Sequence, residues 1–60
     1  MKAGQTYEAF GCRWVVDRVY EVTEEYAKEH DLQYRVRYTA HVVAAPKGYQ
    51  GFRKVDAALR

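Results

Sequence analysis

Three groups of residues in this chain are of types that could do chemistry. The first is Cys12, the only cysteine, which lies beside Arg13, with His30 and His41 further along. A thiol with a cationic neighbour and a histidine base is the arrangement of a cysteine nucleophile. The competing assignment is structural: Cys12 alternates with Trp14 and Val16, as a small buried hydrophobe would. The second group is the acidic run Glu21, Glu24, Glu25, Glu29 and Asp31. Paired carboxylates can hold a cation or move protons, but at this density they more often form a solvated face. The third is a row of alternating polar residues, Arg35, Arg37, Thr39 and His41, followed by Lys47, Tyr49, Arg53 and Lys54. On a strand, side chains two apart stand about 6.6–6.8 Å from each other, so the row could track a phosphate backbone. It could equally well solvate an exposed sheet face.

Metal and disulfide chemistry find little support. One cysteine cannot form an intramolecular bridge, and two histidines separated by ten residues fit no usual zinc spacing with it. The expectation is a non-enzyme with no cofactor and no metal, kept in a reducing, cytoplasmic setting. No apolar run approaches the roughly 18 residues that a bilayer span needs, so no membrane partner is expected. The start, Met1 to Gln5, lacks the apolar region of a signal peptide, and the chain reads as a complete small gene product.

The elements that must position these groups follow from periodicity. Every even position from Leu32 to Ala44 is apolar, which predicts a long half-buried strand with Arg35, Arg37, Thr39 and His41 on its other face. Residues 12–23 also read as a strand, with Cys12, Trp14, Val16, Tyr20 and Val22 on one face. A helical spacing of Val15, Val19, Val22 and Tyr26 competes, but the valines favour β structure. Arg18 interrupts the apolar face and implies a bulge, a strand leaving the core or a snorkelling side chain. Thr6 to Phe10 reads as an edge strand turning at Gly11. Residues around 24–30 form a short helical excursion behind an N-cap at Thr23, with a polar loop as the alternative. Pro46 to Gly51 is a loop, and 52–60 suits either a short helix or a strand.

The fold class is therefore mainly β, or small α+β: a strongly curved antiparallel sheet or partial barrel in one domain over residues 1–60. A chain of 60 residues buries only about 60% of its unfolded surface. Aromatic burial or self-association as a homodimer must make up the shortfall, and Trp14, Phe10, Phe52 and six tyrosines favour the former. The opening Gly4-Gln5-Thr6-Tyr7 and Gly11-Cys12-Arg13-Trp14-Val15-Val16 resembles that of small SH3-like barrel proteins, many of them carried by phages and mobile elements. The resemblance covers about the first 20 residues and implies that Tyr7 and Trp14 are core or groove aromatics.

Charge is segregated. Asp17, Glu21, Glu24, Glu25, Glu29 and Asp31 outnumber Arg18 and Lys28 in the middle. Arg35, Arg37, Lys47, Arg53, Lys54 and Arg60 face only Asp56 in the last half. Such fields speak to partners. The expected function is binding of nucleic acid or a nucleoprotein through Arg35, Arg37, His41, Lys47, Tyr49, Arg53 and Lys54. The alternative is a protein-interaction inhibitor, such as a phage-encoded factor that blocks a host protein, since interfaces favour Tyr, Trp and Arg.

Overall fold

The computed structural model describes residues 1–59. Strand β1, Thr6–Ala9, turns into β2, Cys12–Glu21, through Phe10 and Gly11. Both turn residues have positive φ, 55° and 74°, the pair that a type I′ hairpin turn requires. Helix α1, Glu24–Glu29, follows. The Thr23 hydroxyl accepts from the Tyr26 amide at 3.1 Å and caps it, and Glu24 pairs with Lys28 one turn on. Strand β3, Val36–Ala44, and strand β4, Lys54–Ala58, complete an antiparallel sheet of order β1-β2-β3-β4. Among the described residues β1 and β4 do not pair, so the sheet stays open and does not close into a barrel.

The strand expected over 32–44 starts only at Val36, because β2 ends at Glu21, the residue opposite Val36. Residues 32–35 instead bring the chain back from α1, with the Leu32 amide donating to Ala27 O at 2.7 Å and Val22 N to Arg35 O at 2.9 Å. The tail is a strand rather than a helix because β3 offers it a free edge, from Arg37 opposite Ala58 to His41 opposite Lys54.

The interruption at Arg18 is a bulge. Val16 faces Ala40 and Arg18 faces Thr39, so Asp17 is the extra residue. A bulge inverts the alternation beyond it. Val19, opposite Tyr38, therefore joins the core face, whereas Tyr20, expected there, points to the other side opposite Arg37. A second irregularity leaves Val43 as the extra residue of β3, between Trp14 opposite Val42 and Arg13 opposite Ala44.

The core lies on one face of the sheet. Cys12, Trp14 and Ala40 are buried, with Tyr7, Ala9, Tyr38, Val42, Tyr49 and Val55 packed against them. Trp14 is 1% exposed, stacks nearly parallel to Tyr7 with centroids 6.2 Å apart, and donates its indole N–H to Ala9 O at 3.1 Å. A buried indole needs such a partner. Helix α1 lies beyond the end of β2 with Ala27 buried, and the 45–53 loop brings Tyr49 against the core on this face.

Candidate binding face

Of the expected basic row, Arg37, Thr39 and His41 stand on the outer face of β3 and Arg35 just precedes the strand, and Arg35, Arg37 and His41 each meet a carboxylate. Arg35 bonds Glu21 Oε1 at 3.0 Å and donates from Nε to Val22 O. Arg37 Nε lies 3.3 Å from Asp56 Oδ1, and its side chain is only 19% exposed. His41 Nδ1 meets Asp17 Oδ1 at 2.7 Å. The Tyr20 hydroxyl donates to both Asp56 oxygens at 2.8 Å. The neighbouring Tyr20 first, and also Asp56, push the Arg37 guanidinium up and outweigh the burial that opposes them, and Arg18 stacks 4.5 Å over the Tyr20 ring. A phosphate approaching this face would have to displace those carboxylates.

The remaining members of the expected site separate from the row. Lys54 stands opposite His41 on the outer face. Lys47 occupies the tip of the 45–53 loop, and Arg53 lies 5.5 Å over the Tyr49 ring. Lys47, Arg53 and Lys54 have no ion-pair partner among the described residues. Tyr49 is half-buried against the core, and its hydroxyl donates to Phe52 O at 2.8 Å. Burial, and then Cys12, push its phenol up.

Cys12 sits on the core face with its thiol 3.6 Å from Phe10 O, and His41 is on the opposite face. No group of three His, Cys, Asp or Glu side chains converges among the described residues, and no helix among them is long and apolar enough to cross a membrane.

The core face carries a feature that charge and periodicity did not single out. Phe10 is 70% and Phe52 55% exposed. Their rings meet edge to face at 5.4 Å, and Phe52 also leans on Trp14 at 5.8 Å. Together with Tyr7, Tyr38 and Val55 they line an apolar crevice of about 260 Å³. No protein family model, curated protein or solved structure matches this chain. A visible cue for Phe10 was the Phe-Gly pair at the hairpin turn, where Asn-Gly or Asp-Gly is the usual choice.

Burial first, and then the neighbouring Tyr38 phenol, push the Tyr7 phenol up to about 12. A folded value above the unfolded one, about 10, means that the fold holds this proton more tightly. The associated stability is complete below pH 10 and is lost as pH rises through 12. Denaturant midpoints are therefore expected to fall between pH 10 and 12, and to fall less in Tyr7→Phe.

Proposed function

We propose that this chain is a non-enzymatic binding module that takes a protein partner on its aromatic face. The observation that carries this reading is Phe10. A bulky side chain in the left-handed region is rare and strained, yet Phe10 holds φ 55° at the tip of a hairpin and gains little burial there. Such strain serves the display of an aromatic ring, and exposed aromatics beside an apolar crevice are what interface anchors look like. In the SH3-like proteins that the opening residues resemble, Tyr7 and Trp14 would be core or groove aromatics. Their stacking beneath Phe10 and Phe52 supports reading this face as a groove. A factor that blocks a host protein would use it in this way.

A nucleic-acid partner has one specific observation behind it: Lys47, Arg53 and Lys54, in and beside the 45–53 loop, have no carboxylate partner among the described residues. It makes a different prediction, a fall in affinity of about 0.7–0.9 log units per phosphate contact for each tenfold rise in salt.

Phe10→Asn separates folding from binding. A left-handed backbone costs an ordinary residue about 1–2 kcal/mol, and Asn tolerates it, while the lost Phe10–Phe52 contact offsets about 0.5–1.5 kcal/mol. Urea denaturation is expected to show stability within about 1 kcal/mol of the parent. Capture of the partner from nuclease-treated lysate should drop roughly thirty-fold or more, as for loss of an interface anchor. Arg35→Ala with Arg37→Ala should leave capture in place. Capture that survives Phe10→Asn but not nuclease would transfer the assignment to nucleic acid.

A further inference from the structure

We propose that the partner on the aromatic face is a second copy of this chain, packed core face to core face with the two sheets antiparallel; this inference rests on the protein-binding reading of that face. The first support is area. A globular chain of 7.0 kDa exposes roughly 4,000 Å², whereas this one exposes 4714 Å². Its radius of gyration is 13.2 Å, against about 10 Å for a compact chain of this length. The molecule is elongated and thin, with extents of 42 × 22 × 14 Å. Two sheets packed face to face stand about 10 Å apart and form the second layer that such a face normally has. The excess of about 700 Å² per chain, taken over two chains, reaches roughly 1,400 Å², inside the range of about 1,200–2,000 Å² that stable interfaces bury.

The second support is charge. Strands β2 and β3 run the length of the sheet, so the excursion through α1 lies at one end, and the Phe10–Gly11 turn and the 45–53 loop lie at the other. At the first end Glu25, Glu29 and Asp31 have no ion-pair partner among the described residues, and at the second Lys47 and Arg53 have none. A two-fold axis lying between the two faces and across the strands lays the acidic end of each copy against the basic end of the other, where Phe10 and Phe52 are exposed. A parallel arrangement would set like against like. The two-fold makes both contacts identical, as an isologous dimer requires.

Sedimentation equilibrium of the full chain tests the proposal. The parent is expected to sediment at twice 7.0 kDa at micromolar concentration, and to dissociate more readily as salt rises. Phe10→Asn with Phe52→Ser should weaken self-association roughly thirty-fold or more while circular dichroism stays unchanged. Lys47→Glu alone and Glu29→Lys alone should each weaken it. An equimolar mixture of these two should restore it, because each end of the mixed dimer then joins opposite charges. A chain that stays monomeric to millimolar concentration overturns the dimer. The protein-binding reading then stands or falls separately, on whether Phe10→Asn abolishes capture from lysate. A dimer indifferent to Phe10 and Phe52 places the contact elsewhere, for instance at the open edges of β1 and β4, and overturns both. A dimer lost in the phenylalanine variant but not restored by mixing the charge variants overturns the antiparallel arrangement.

Discussion

Trp14→Ala is expected to lower the urea midpoint steeply, by a loss on the scale of the whole stability of the fold. Trp14 is 1% exposed, and its ring stacks on Tyr7 and touches the tilted ring of Phe52. Truncating a buried aromatic of this size costs about 3–5 kcal/mol. A chain of 60 residues holds roughly 3–9 kcal/mol in all at the usual stability per residue. Trp14→Phe should cost less, since it keeps a ring against Tyr7 and loses chiefly the bond to Ala9 O, worth about 1 kcal/mol. Because Trp14 is the only tryptophan, the measurement is urea denaturation followed by far-ultraviolet circular dichroism. A midpoint for Trp14→Ala within experimental error of the parent would mean that the core lies elsewhere.

That core was readable from Cys12, Trp14 and Val16 because residues before any bulge obey a strict period of two. The same rule placed Arg37, Thr39 and His41 on the outer face, where they are. Thr23 to Glu29 was readable too, since a cap and an i,i+4 pair are local. The partners of the basic row were not. Asp56 meets Arg37 and Tyr20 only because β4 pairs with β3 in one register, and Asp17 reaches His41 only because it is the bulged residue. Ion pairs between distant strands depend on registers that spacing along the chain does not encode. Lys47, Arg53 and Lys54 kept their positions in and beside the loop, while Tyr49 turned inward because its hydroxyl finds Phe52 O there. Phe10 and Phe52, expected among the buried aromatics, are 70% and 55% exposed, and the positive φ that puts Phe10 at the hairpin tip is not encoded in alternation.

The bulge also reverses the usual rule for deletions in a strand, and this is the second large effect. In a regular strand, removing one residue turns every later side chain to the wrong face, whereas removing two preserves the pattern. In β2 the parity is opposite. Deleting Asp17 alone leaves Val16 inward, Arg18 outward opposite Thr39 and Val19 inward opposite Tyr38, a regular ladder. The loss is the exposed contact with His41, and exposed ion pairs contribute about 0–1 kcal/mol. Deleting Asp17 and Arg18 together makes Val19 follow Val16 directly and turns it outward. Tyr20 then turns into the core, and its hydroxyl leaves Asp56. Exposing an apolar side chain costs about 1.5–3 kcal/mol, and burying the Tyr20 phenol without a partner adds about 1–3 kcal/mol. The double deletion is therefore expected to be unfolded or molten, and the single deletion to be cooperative with a midpoint close to the parent's. Amide hydrogen exchange across β2 and β3 reads this directly: protection of Val19 to Glu21 should persist in the single deletion and vanish in the double. The reverse order would show that Asp17 is not the bulged residue, and would return Tyr20 to the core face with Val16 and Trp14.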